Sequence, residues 1–419
     1  MGDLDVCDRP EDFGFSGARL SRIGSFFTEK YVETGRLPGL LTAVVRRGQL
    51  VSLSCSGHRD VASGAPLAPD SIFRVYSMTK PLTSIALMSF YEEGRFQLDD
   101  PVSRFIPEFG DLRVWEDGTP LAYRTAFPER EMVVRDLLTH TAGLTYGFMS
   151  RHPVDALYRR SGIDGRSTLA PSEAKPSVDL AEMVAKLAEL PLLFSPGSRW
   201  SYSVATDVCG YLVELLAGES LDVVLQERIL GPLGMDDTGF HVPVGEGHRL
   251  TSCYALTPVD PLVPVDPAET SSYLERPSFL SGGGGLVSTA TDYLRFARCL
   301  LNGGELDGAR IIGRKTLAYM ATNHLPTGGD LASMGQPVFS ETTYEGIGFG
   351  LGFSVMLDPV RAAVVGSVGE FGWGGAASTV FWVDPAEEIV GLFLTQLLPS
   401  SSYPVRREMK ALTYQALVD

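Results

Sequence analysis

"RVYSMTKPLTS", residues Arg74–Ser84, decides how the rest of the chain is read. Pro81 has no backbone N–H and is tolerated only in the first turn of a helix, so a helix must begin within a few residues before it. Leu82, Ile85, Ala86, Ser89 and Phe90 then keep helical spacing, and Gly94 supplies a left-handed stop. Ser77 therefore falls at or just before the amino terminus of this helix, and Lys80, three residues on, shares its face. An uncharged lysine amine there can accept a serine proton, which makes Ser77 a candidate nucleophile. The plain alternative is a capping serine followed by a solvated lysine, and the short pattern alone does not separate the two.

Two further stretches carry chemistry. In "FSPGSRWSYSVATDVCGYLVELLAG", Phe194–Gly218, the residues Val204, Val208, Tyr211, Leu212 and Leu215 mark a helix that Gly218 ends, so Tyr202 lies on the loop feeding it. A tyrosine there can aim its hydroxyl into a cleft, or simply pack beside Trp200. In "GEFGWGGAAST", Gly369–Thr379, the residues Gly372, Gly374 and Gly375 surround Trp373 ahead of a strand. Such glycines either let backbone N–H groups approach a ligand closely or make a simple bulge or turn.

The 419 residues, 44% hydrophobic with 27 prolines spread among them, can bury a large core as one large or two intimate domains. A net charge of −16, from 35 basic and 51 acidic residues, argues against nucleic-acid and anionic-membrane partners. "MGDLDVCDRPEDFGF", Met1–Phe15, has no positive segment followed by an apolar one, and Val6 stands where a myristoylation motif has Ser or Thr, so neither a secretory signal nor that anchor is expected. Apolar runs such as "IVGLFL", Ile389–Leu394, are too short to span a bilayer. Cys7, Cys55, Cys209, Cys253 and Cys299 show neither a CxxC pair nor zinc spacing, which suits reduced, packed thiols in a cytoplasmic protein.

An amphipathic helix is expected near residues 20–34. "GLLTAVVRRGQLVSLSCSG", Gly39–Gly57, reads as two strands around Arg47-Gly48, and "ASTVFWVDPAEEIVGLFLTQ", Ala377–Gln396, as two more around Asp384-Pro385. A closing helix is expected over residues 405–417. Between these ends, from about Met78 to Phe279, helical patterns and loops rich in Pro and Gly dominate. The expectation is a discontinuous sheet domain, 1–76 with 285–419, interrupted by a mainly helical one, 77–284.

Ser77-x-x-Lys80, then Tyr202-Ser-Val, then Trp373-Gly-Gly before a carboxy-terminal strand resembles the serine β-lactamase and penicillin-binding-protein superfamily, most of all the family VIII carboxylesterases. "VRDLLTHTAGLTYG", "PGSRWSYS", "GPLGMDDTGF", "GGGGLVSTATDYLRFARCLLNGG" and "GFGLGFSV" resemble family segments in the expected order, so the likeness covers nearly the whole chain. It implies an α/β (α+β) fold, with a five-stranded antiparallel sheet built from both chain ends, flanked by helices, and an all-helical domain beside it. It also implies Ser77 as nucleophile, Lys80 and Tyr202 exchanging protons with it, and an oxyanion hole from the N–H groups of Ser77 and Ala376. The reaction so implied is cleavage of a small carboxylic ester through an acyl-enzyme, without metal or cofactor.

Two departures from the β-lactamase pattern bear on substrate. Val204 replaces the asparagine of YxN, and Trp373-Gly374-Gly375 replaces KTG, so a bulky ring stands where a lysine would bind a substrate carboxylate. Uncharged acyl groups should be favoured. Trp373, Gly374 and Gly375 are candidate substrate-binding residues, and Tyr146, Phe148, Phe349, Phe353 and Phe371 either line an acyl pocket or fill core. A β-lactamase, D-amino-acid peptidase or acyltransferase could use the same apparatus; a non-catalytic scaffold could keep the fold but has no need of Ser77, Lys80 and Tyr202 together.

Other candidates read more simply. His140 has no matching acid motif, no GxSxG accompanies it, and it is expected to be packed and hydrogen-bonded. The histidines include no HExxH. The glycine run Gly282–Gly285 has no GK[ST] after it, and reads as a tight entry to a helix opened by a capping box from Thr289 to Asp292.

Overall fold

The computed structural model describes residues 4–163, 176–335 and 343–419. Strands β1 (Gly39–Arg46), β2 (Gln49–Asp60), β3 (Ala65–Pro66), β4 (Ile347–Phe349), β5 (Ser354–Met356), β6 (Phe371–Gly374), β7 (Val380–Asp384) and β8 (Ile389–Leu394) form one sheet in the order β4-β5-β6-β7-β8-β1-β2-β3. Every neighbouring pair is antiparallel. The first hairpin closes as Arg47-Gly48 predicts: Arg46 pairs with Gln49, and both loop residues have positive φ (51° and 79°), the turn that matches strand twist.

The expectation of five strands is corrected to eight. The additional members are of only two or three residues, too short to show a period of their own, and they exist by pairing with a longer neighbour.

β1 and β8 are buried along their whole length because both faces of the sheet are covered. Leu40 and Val44 of β1, with Ile389 and Phe393 of β8, pack under α1 (Gly17–Phe27) and the carboxy-terminal helix Val405–Tyr414. Leu41, Ala43, Val45, Val390, Leu392 and Leu394 point the other way into the main core. Successive residues alternate between the two clusters, which is the two-residue period of a strand with an apolar environment on either side.

That main core runs through α2 (Thr79–Glu92) into the helices beyond it, including α3 (Ala205–Ala217). α2 buries residues 79–88 and Phe90, so it is apolar all round, as a helix inside a large core must be. Gly94 and Gly218 take the left-handed conformation expected after α2 and α3 (φ 71° and 76°). The segment 77–284 is not all-helical: it carries the hairpin of Val114–Thr119 with Ala122–Ala126, and the strands Cys253–Ala255 and Val263–Asp266.

At α4 (Ala290–Leu301), Thr289 caps the Asp292 N–H at 3.3 Å, but the Asp292 side chain turns away from a reciprocal capping box and accepts from Asp237 N–H and Thr238 Oγ1. None of the five cysteines is disulfide-bonded. Among the described residues, no helix is long and apolar enough to cross a membrane.

Candidate active site

Ser77 sits in a single 3-10 turn, Tyr76–Met78, that runs directly into α2. Tyr76 is left-handed (φ 43°), a conformation that L side chains rarely adopt, and at this kink Ser77 lines a cavity of about 320 Å³. Lys80, in the first turn of α2, is 1% exposed. Its Nζ donates to Ser77 Oγ (3.3 Å), to the Tyr146 hydroxyl (3.0 Å) and to the Gly283 carbonyl (2.6 Å). A lysine amine buried on this scale needs each of those partners.

Tyr202 comes from the loop that enters α3 and is 8% exposed. Its hydroxyl donates to Ser77 Oγ at 2.6 Å and accepts the indole N–H of Trp373 at 3.3 Å. Lys80 Nζ makes contact with the face of the Tyr202 ring, 4.5 Å from its centroid, so cation and phenol are coupled through the ring and through Ser77. Residues 125 positions apart thus meet on one oxygen.

Trp373, Gly374, Gly375 and Ala376 line the same cavity. A Cβ on Gly375 would lie 2.5 Å from the Val75 carbonyl, so only glycine lets this turn press against the backbone just before Ser77. Among the described residues the amides of Ser77 and Ala376 have no hydrogen-bond partner, and both residues border the cavity. Two unpartnered N–H donors beside a serine oxygen can receive a developing oxyanion.

Tyr146 and Phe148 line the cavity as a stacked pair, ring centroids 4.7 Å apart. Phe349 does not: it is fully buried behind Trp373, edge-on to the indole at 5.2 Å, and supports the ring instead of meeting a ligand. Phe353 and Phe371 likewise pack edge to face in the core. Phe240, Tyr273 and Phe279 border the cavity and carry no motif by which sequence would single them out.

His140 is buried, with Nδ1 3.2 Å from Ser203 Oγ and its ring against Tyr202 and Phe349. Burial and the nearby Lys80 charge hold its pKa well below the usual histidine range, so it packs as a neutral ring. Two residues in contact with the site escaped the sequence reading. Gly283 is more than a helix entry, since its carbonyl takes the shortest contact of Lys80. Asp207, on the buried face of α3 beside Val204 and Val208, accepts from Gly283 N–H; an acid in an apolar stripe was the signal available.

Residues 27–415 match the Beta-lactamase family. Esterase EstB of Burkholderia gladioli is 31% identical over 414 residues, which cover 92% of this chain and 93% of EstB. Protein Rv1367c of Mycobacterium tuberculosis is 37% identical over 374 residues, 88% of either chain. The solved structure of EstCE1, a hydrolase with promiscuous acyltransferase activity, aligns with a TM-score of 0.77 at 27% identity, covering 95% of this chain and 99% of that one. A match that runs almost from end to end, through the sheet strands of both termini and the helices between them, assigns the fold and its lineage together: the chain belongs to the Beta-lactamase family.

Proposed function

We propose that this protein hydrolyses short-chain carboxylic esters through an acyl-enzyme on Ser77. The observation that carries the reading is a serine oxygen held 2.6 Å from the Tyr202 hydroxyl and 3.3 Å from Lys80 Nζ at the wall of a cavity. Ser77 Oγ attacks the ester carbonyl carbon while its proton passes to the Lys80–Tyr202 pair, and the carbonyl electron pair moves onto oxygen, facing the N–H groups of Ser77 and Ala376. Collapse breaks the bond to the alcohol oxygen, which takes the proton back through Tyr202 and departs as the alcohol. Water then attacks the acyl-Ser77 carbonyl, gives a proton to the same pair, and Ser77 leaves with that proton as the carboxylic acid is released.

EstB and EstCE1, named as an esterase and a hydrolase, support ester chemistry on this fold. Five thiols without a disulfide fit the cytoplasmic residence that belongs to this reading. The test is incubation with p-nitrophenyl acetate or butyrate. Intact mass should report one acyl group, on Ser77, and Ser77→Ala should lower turnover at least about a thousand-fold. Near-normal turnover by that variant would end the assignment.

A second reading, acyl transfer to an alcohol, is favoured by one observation: Phe240, Tyr273 and Phe279 extend an apolar wall that an organic acceptor can occupy in place of water. Added butanol should then divert acyl-enzyme into butyl ester; hydrolysis alone at every butanol concentration would reject it.

A further inference from the structure

Asp207 is a buried carboxylate that the reaction above does not use. It lies on α3 five residues after Tyr202 and is 3% exposed. A carboxylate so placed is unfavourable unless its oxygens are hydrogen-bonded and its charge is balanced. Oδ1 accepts the Gly283 N–H at 3.0 Å and the Ser281 hydroxyl at 2.6 Å. The carbonyl of that same Gly283 accepts from Lys80 Nζ at 2.6 Å. Little room exists for Gly283 to shift, since a Cβ there would lie 2.5 Å from Asp207 Oδ2 and 3.1 Å from the Tyr146 hydroxyl.

The charges around Lys80 can be assigned group by group. Ser77, Tyr146 and Tyr202 present hydroxyls or a ring, and His140 is kept neutral by burial. Asp207 itself is faced by Ser281, by Gly283 and by Cys209 on its own helix; burial raises its carboxyl above the ordinary value, an effect that the Lys80 charge and the bonds from Ser281 and Gly283 oppose only in part. The negative charge that acts on Lys80 from this side is that of Asp207.

We infer that Asp207 is a positioning residue for the Ser77–Lys80 pair, fixing the Gly283 carbonyl on the lysine and setting an opposite charge beside it. The inference rests on the hydrolase reading for its steady-state readout, but not for its labelling readout.

Asp207→Asn keeps an acceptor for Gly283 and Ser281 and removes the charge. It should lower kcat for p-nitrophenyl butyrate by about 10–100-fold, as small misplacements of reacting groups do, with KM within about two-fold of wild type. Loss of an opposite charge disfavours the cation, so the acid limb of the pH–rate profile should move about one unit to lower pH. A residue that merely supports the fold would not move that limb. Ser281→Ala, which leaves the carboxylate and its bond to Gly283, should stay within about three-fold of wild type.

Labelling of Ser77 by a fluorophosphonate, followed by intact mass, needs no ester and should slow in parallel in Asp207→Asn. If wild type is labelled yet turns over no ester, the hydrolase reading falls, and labelling of the variants still decides this one. Wild-type labelling rate and an unshifted pH profile in folded Asp207→Asn would overturn the inference. Should that variant not fold, Gly283→Ala, whose Cβ displaces the carboxylate, serves instead, and undiminished labelling there overturns it equally.

Discussion

The Tyr202 hydroxyl donates to Ser77 Oγ at 2.6 Å and accepts the Trp373 indole N–H at 3.3 Å, so one oxygen links Ser77 to the residue that stands where the KTG motif has lysine. Tyr202→Phe removes both hydrogen bonds and leaves the ring among its aromatic neighbours. Stopped-time assays should find kcat reduced about 10²–10⁴-fold with little change in thermal midpoint. An active Phe variant would leave proton transfer to Lys80 and reduce Tyr202 to packing. Trp373→Phe keeps an aromatic ring against Phe349 and deletes the N–H; loss of one hydrogen bond predicts about a 2–12-fold fall in kcat, and unchanged kcat would mean that the indole N–H has no part in holding Tyr202. At this scale Ser77, Lys80, Tyr202 and Trp373 were legible because each sits in a short motif beside a helix start or a glycine turn. Asp207 and Gly283 were not, because Gly283 meets Lys80, and Asp207 meets Gly283, only across segments distant along the chain.

Elements add a test by pH. Asp292, in the first turn of α4, lies between Asp237 N–H and the Thr238 hydroxyl. Burial, aided by the charges of Asp237 and Asp236, pushes its carboxyl up to about 6 from an ordinary value near 3.8. The folded state therefore holds this proton more tightly than the unfolded chain does. Its contribution is most favourable below about pH 4 and is lost as pH rises through about 6, a change of about 3 kcal/mol at most. Asp292→Asn, which retains an acceptor, should flatten that part of the stability curve and raise stability at pH 7–8. Urea melts at pH 4 and 7.5 check this; a variant whose pH dependence matches wild type would show that Asp292 titrates normally. The helix start itself was visible in Thr289, but the partners of Asp292 come from another segment, so the capping box suggested by spacing gave way to a tertiary contact.

For the whole molecule, the question is which substrates a cavity of about 320 Å³ walled by Trp373, Tyr146 and Phe148 accepts. A penicillin carries a carboxylate, and burying that charge beside an indole is unfavourable unless a cation is turned to it; Arg406, at the cavity wall, instead gives its Nη2 to the Gly375 and Thr379 carbonyls, and a neutral ester needs no such partner. Neutral p-nitrophenyl acetate or butyrate should exceed benzylpenicillin in kcat/KM by orders of magnitude on one preparation. Equal values, or a preference for penicillin, would show that another cation serves the carboxylate. The sequence by itself determined what depends on neighbours along the chain: the Arg47-Gly48 hairpin, the start of α2 before Pro81, the glycine stops of α2 and α3, and the order of motifs that marks the family. Only the tertiary structure decided that the sheet has eight strands, that Phe349 backs Trp373 instead of lining the cavity, and that Asp207 reaches Lys80 through Gly283. The reason is physical: turns and helix ends are set by φ, ψ and hydrogen bonds within a few residues, whereas two-residue strands, ring order and buried charge pairs exist only once distant segments are packed together.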